Sequence, residues 1–177
     1  MLSLEAGIAA RARYLWIYLQ DHHAAAQAGL ALARRALTGL RTTELEPPLK
    51  ELVDLIDSDE QTLRLVLDTL GISSSRVKDA LALLGERLGR LKLNGRLRRR
   101  SPLSSVLELE LLVSGIAAKA ALWRSLAIVQ SEEEERLAQF DFELLARSAD
   151  EQRQESERLR DHAWAKIFLH QQNFSNT

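Results

Sequence analysis

The chain has 177 residues, of which 46% are hydrophobic and 28% charged, with a formal net charge of −1 and no cysteine. A chain of this length can bury one continuous core as a single domain. The lack of thiols excludes disulfides, thiolate catalysis and zinc sites built from cysteine.

Apolar residues recur at helical spacing in five segments, and turn and capping residues separate them. No stretch sustains the alternation that is typical of a β-strand. The predicted helices cover residues 13–37, 48–70, 73–93, 101–129 and 133–169. We therefore predict an all-α protein, an up-and-down or ferritin-like bundle of about five helices. The single domain would span residues 1–170, and residues 171–177 would form a frayed tail.

Charges near the N-terminus and within the longest apolar run argue against membrane insertion. Arg11 and Arg13 come too early for an insertion signal, and Ser114, Lys119 and Arg124 interrupt the run Leu111–Ala127. We expect a cytoplasmic protein without a membrane-spanning segment.

Several short motifs along the chain resemble a bacterial family of ferritin-like helical proteins that has no established activity. The motifs are Tyr18–His22, Ala31–Arg35, Lys92–Arg96, Ser101–Ser104, Glu108–Leu111, Gly115–Ile116 and Lys119–Trp123. The resemblance spans most of the chain. It implies a ferritin-like bundle and does not imply a reaction.

Histidines and carboxylates on the predicted helices offer a candidate metal site. Di-iron bundles use Glu-x-x-His motifs, and here no acidic residue has a histidine three positions later. A site for iron, manganese or zinc that departs from the di-iron motif can still be proposed from residues on four of the predicted helices. Its candidate ligands are His22, Asp59, Glu60, Glu110, Glu155 and His162. Asp21 and His22 are adjacent, so at most one of them can point inward.

The alternative for these residues is a structural role. His22 would hydrogen-bond a facing carboxylate, Asp59 or Glu60, and the pair would fix the register of the helices. Under this interpretation His23 and His170 face solvent, Glu155 lies on a solvated helix face, and Lys119 forms a salt bridge with Glu108.

A run of basic residues suggests a further alternative, electrostatic binding of phosphate or nucleic acid. It consists of Arg96, Arg98, Arg99 and Arg100. The run has no interleaved aromatic residue on which bases could stack, which makes nucleic acid a weak hypothesis.

No complete catalytic constellation is present, since the chain lacks both a Gly-x-Ser-x-Gly motif and a glycine-rich phosphate loop. The leading hypothesis is a non-enzymatic bundle, a structural or interaction protein that forms a homo-oligomer through a helix face. A metal-binding bundle with a redox or storage role is the first alternative.

Overall fold

The computed structural model describes residues 2–72, 101–132 and 135–169, and this part of the chain is almost entirely helical. Its helices are α1 (Leu2–Gly39), α2 (Glu46–Leu70), α3 (Pro102–Glu132) and α4 (Phe142–Leu169). The prediction of an all-α bundle is confirmed. The predicted helix over residues 73–93 lies outside the described residues.

Helix α2 has well-defined ends that follow from its sequence. Pro47 and Pro48 lie in its first turn, where a missing N–H costs nothing. Gly71 ends the helix with φ of +72°, a left-handed conformation that glycine adopts without strain. The N–H of Ile72 then donates to the Leu67 carbonyl at 2.9 Å. These signals place α2 within two residues of its predicted bounds.

The connection between α3 and α4 differs from the prediction of a helix that begins at residue 133. A 3₁₀ turn occupies Glu135–Leu137, and α4 begins only at Phe142. The Gln130 side chain donates to the carbonyls of Leu137 at 2.6 Å and Phe140 at 3.0 Å. The Asp141 carboxylate accepts the N–H of Leu144 at 2.8 Å and so caps α4.

Contacts between the helices define their order and direction. Helix α1 packs against α2 and α3, while α4 packs against α3 and α2. Arg34 pairs with Asp57 while Gln27 reaches Glu60, so α1 and α2 run antiparallel. The same reasoning makes α1 antiparallel to α3 and α4 antiparallel to α2. The contacts that show the first are Arg35 with Glu108 and Tyr18 with Ser125. For the second, Asp59 contacts Gln152, and Pro48 and Leu52 lie beside Glu155 and Arg158.

These directions place the end of α2 and the start of α3 at opposite ends of the bundle. The connection between the two helices, residues 73–100, lies outside the described residues. Each helix is antiparallel to both of its neighbours, and the diagonal partners α2 and α3 run in the same direction.

The core is built mainly from leucines of α2 and α3 and from small residues of α1 and α4. Trp123, fully buried, stacks on Phe142 with ring centroids 6.0 Å apart. Ala33 and Ala149 are fully buried as well. Small residues at such positions allow helices to approach closely.

Helix α3 is more apolar than its burial requires. By length and composition alone, Leu103–Gln130 could cross a membrane, with a mean hydropathy of 1.5, a property that core helices of soluble proteins also have. Only 33% of its most apolar stretch is buried inside the bundle. Much of the apolar surface of α3 therefore faces outward.

Candidate functional site

Buried polar side chains from all four helices meet halfway along the bundle. Asp59 of α2 accepts hydrogen bonds from Lys119 of α3 and, at 2.9 Å, from the amide of Gln152 of α4. Lys119 also donates to the Gln152 Oε1 atom at 2.5 Å. Each member of this triad contacts the other two. The pairing satisfies groups that would be costly to bury singly.

A second group of polar side chains lies beside the triad. His23 of α1 is 1% exposed, and its Nε2 atom lies 3.3 Å from the Glu60 Oε1 atom. Gln27 bridges them, with its Nε2 atom 3.2 Å from His23 and 3.4 Å from Glu60. The His23 Nδ1 atom has no hydrogen-bond partner within the described part of the chain. Together, the triad and this group form the polar cluster.

The electrostatics of the polar cluster centre on Lys119. Burial lowers the pKa of the Lys119 ammonium, and the charge and hydrogen bond of Asp59 act in the opposite direction. Burial disfavours the charged form of an amine, whereas a nearby carboxylate favours it. Asp59 is therefore the group that keeps a buried ammonium acceptable at this position.

A mainly apolar cleft of about 90 Å³ lies next to the polar cluster, between α1 and α3, with α2 as its floor. Asp59, Glu60 and Lys119 line it. His22 also lines it and contacts the edge of the Tyr18 ring, with centroids 4.4 Å apart. Burial lowers the pKa of His22, and the charge of Asp21 partly offsets this effect.

The six candidate metal ligands are not brought together. Asp59 and Glu60 are buried in the polar cluster, and His22 lies half-buried at the cleft. Glu110 is exposed on α3, and Glu155 pairs with Arg158. Among the residues that the structure describes, no group of three or more histidines and acidic residues could hold a metal ion.

His162 lies far from the polar cluster, on the exposed surface near the α1–α2 turn. Its Nε2 atom is 2.6 Å from a carboxylate oxygen of Glu44, which Lys166 also contacts at 2.6 Å. Hydrogen bonds from Lys166 and His162 lower the pKa of the Glu44 carboxyl group. A surface ion pair accounts for this histidine.

The structure also changes the roles predicted for several neighbouring residues. His23, predicted to face solvent, is the buried histidine, so the prediction was wrong. The interpretation that His22 hydrogen-bonds Asp59 or Glu60 is corrected in the same way, because His23, one residue later, is the histidine that contacts Glu60. Lys119 pairs with Asp59 rather than with Glu108, because residues three helical turns apart on one helix cannot meet. Glu108 is instead bound by Arg35 of α1 at 2.8 Å.

Sequence reasoning missed Gln27, Lys119 and Gln152 as members of the polar cluster. Lys119 had a usable signal, since it lies inside the apolar run of α3, where a charge needs a partner. The basic residues Arg96, Arg98, Arg99 and Arg100, and also His170, lie outside the described residues.

Comparisons with known proteins gave no relative on which a function could be based. No family model matches the chain. No curated protein and no solved structure matches it either. The geometry of the polar cluster, the cleft and the helix faces is therefore the basis for a functional assignment.

Proposed function

We propose that this protein is a non-enzymatic, ferritin-like bundle that acts as a structural or interaction protein and forms a homodimer through α3. The topology supports the ferritin-like part. Four antiparallel neighbouring helices with one long crossover in the middle of the chain are the arrangement of ferritin-like folds. In this chain the consecutive helices α2 and α3 run in the same direction, because both are antiparallel to α1.

The polar cluster supports a structural rather than a catalytic role. In di-iron bundles, carboxylates and histidines from facing helices converge on metal ions in the core. Here the ammonium of Lys119 already provides a positive charge beside Asp59, and the Gln152 amide forms hydrogen bonds with both side chains. Such a pairing specifies one register of the four helices, because any slip would leave charges buried without partners.

The outward face of α3 is the main observation that supports a dimer. Glu110, Ser114, Ala117, Ala121 and Arg124 are all exposed and are spaced alternately by four and three residues. That spacing places them in one stripe along the helix. The three central residues are small, which allows a second helix to approach closely.

The ends of the stripe carry opposite charges at equal distances from Ala117. In an antiparallel pair of α3 helices with Ala117 at the two-fold axis, Glu110 of each copy lies level with Arg124 of the other. Glu110 has no side-chain partner among the described residues, and the Arg124 guanidinium, which already pairs with Asp150, retains further donors. The face is therefore complementary to itself, as a two-fold interface must be.

Charge reversal tests this arrangement. We expect the wild-type protein to be a dimer by light scattering coupled to size exclusion, and Glu110→Arg and Arg124→Glu each to shift it towards monomer. The double variant should recover the dimer, because the two charges are exchanged. Glu51→Arg, on the exposed surface of α2, is the matched control and should stay dimeric. A wild-type monomer at every concentration contradicts the proposal, as does a double variant weaker than both single ones.

A further inference from the structure

The cleft between α1 and α3 has the dimensions of a small ligand site. Its volume is about 90 Å³, and its walls include Ala25, Ala26 and Gly29 of α1 and Gly115 and Ala118 of α3. An apolar cavity of about 150 Å³ in another protein binds benzene. A cleft of the present size can therefore take an alkyl group of a few carbons.

Two glycines on opposite walls contribute to this space. Gly29 and Gly115 both lie inside helices, where glycine is less favourable than alanine. A Cβ atom at either position would meet no atom within 4 Å. Close packing within the described part of the bundle does not require these glycines, yet both line the cleft.

The two carboxylates on the floor of the cleft differ in their hydrogen bonding. Asp59 accepts from Lys119 and Gln152 at short distances. Glu60 is 6% exposed, but the donors nearest to its Oε1 atom, on His23 and Gln27, are 3.3 and 3.4 Å away. Its Oε2 atom has only the Arg64 guanidinium, at 3.9 Å, among the described residues. A buried carboxylate with such long contacts retains the capacity to accept a strong hydrogen bond.

The charges around the cleft favour a cationic ligand. The ammonium of Lys119 is matched by Asp59, and Glu60 adds a second negative charge on the floor, which only the distant and exposed Arg64 guanidinium offsets, at 3.9 Å. The His23 imidazole beside it is positive only when protonated. The Trp123 ring also lines the cleft, and aromatic rings attract cations.

We propose that this cleft binds a small organic ammonium ion, with its alkyl group against the apolar walls and its N–H groups donating to Glu60. The inference does not depend on the α3 dimer, because the ligand site lies within one copy of the chain.

Binding of n-butylammonium chloride to the full chain tests the proposal, measured by calorimetric titration at a pH where an ordinary imidazole is neutral. Its matched probes are 1-butanol, which lacks the charge, and sodium butyrate, which reverses it. We expect saturable binding of n-butylammonium at one site per chain, and binding of 1-butanol and butyrate that is weaker by about tenfold or more, since a charge-assisted hydrogen bond contributes that much.

Two variants at the cleft and one control variant locate the site. Glu60→Gln should weaken n-butylammonium binding by about tenfold or more, whereas Glu51→Gln, at an exposed carboxylate of α2 outside the cleft, should leave it unchanged. A variant with both Gly29→Leu and Gly115→Leu should lose binding and remain helical by circular dichroism, because leucine favours helix more than glycine does. The proposal is overturned if wild-type protein shows no saturable binding, if 1-butanol or butyrate binds as tightly, or if Glu60→Gln or the double glycine variant retains wild-type affinity.

Discussion

Lys119 is the residue on which the polar cluster depends, because its side chain is only 14% exposed and it joins α3 to both α2 and α4. We expect Lys119→Met to lower the free energy of unfolding by about 3 kcal/mol, since breaking a buried pair leaves the other charge uncompensated. Chemical denaturation followed by circular dichroism measures this loss.

A surface ion pair of the same bundle provides the control for Lys119. Arg147 and Glu143 are both exposed and lie 3.8 Å apart on α4, so Arg147→Met should cost less than about 1 kcal/mol. Adding Asp59→Leu to Lys119→Met should restore much of the lost stability, because no buried charge is then left unpaired. Equal small losses for Lys119→Met and Arg147→Met would contradict the structural role.

The sequence predicted the carboxylates of the polar cluster better than its histidine. Asp59 and Glu60 fall on the inward stripe of α2 between Ile56 and Leu63, and that position alone implies burial. In α1 the same method failed by one residue, placing His22 inward and His23 outward. Alanines occupy several faces of α1, so the apolar period does not define a single inward direction.

At the scale of single helices, one side chain determines where α4 begins. Asp141 accepts the N–H of Leu144 at 2.8 Å, and an N-cap carboxylate is also favoured by the helix dipole. We expect Asp141→Ala to lower the free energy of unfolding by about 1 kcal/mol, whereas Asp141→Ser, which can still cap, should stay close to wild type. Thermal unfolding of the two variants measures the difference, and equal midpoints would show that the cap does not stabilise α4.

Capping signals explain which helix ends could be predicted. Helix α2 has paired prolines at its start and a glycine at its end, and the prediction of that helix was accurate. Residues 133–140 contain neither proline nor glycine, and their acidic residues are compatible with a helix, so the sequence did not single out Asp141 as the cap of α4. The turn at this point depends on the Gln130 side chain holding two carbonyls, a tertiary contact that periodicity does not reveal.

At the scale of the whole molecule, the order in which the helices pack determines which helix faces remain available. Because α3 contacts α1 and α4, its third side faces outward, and on this side small apolar residues lie between Glu110 and Arg124. The outward side of α4 instead carries charged residues, among them Glu143, Arg147 and Glu151. An apolar interface and an apolar core have the same helical period, so periodicity alone does not distinguish this side of α3 from the side that faces the core.

If α3 pairs with a second copy, the stability of the molecule must depend on its concentration. Association of folded chains stabilises them by mass action, so the midpoint of thermal unfolding should rise as the protein is concentrated. Glu110→Arg weakens the pairing at its charged ends and should make the midpoint nearly independent of concentration. Circular dichroism melts of both proteins over the same dilution series measure this. A midpoint that is constant for the wild-type chain would mean that folding is complete within one copy and that the apolar side of α3 serves another purpose.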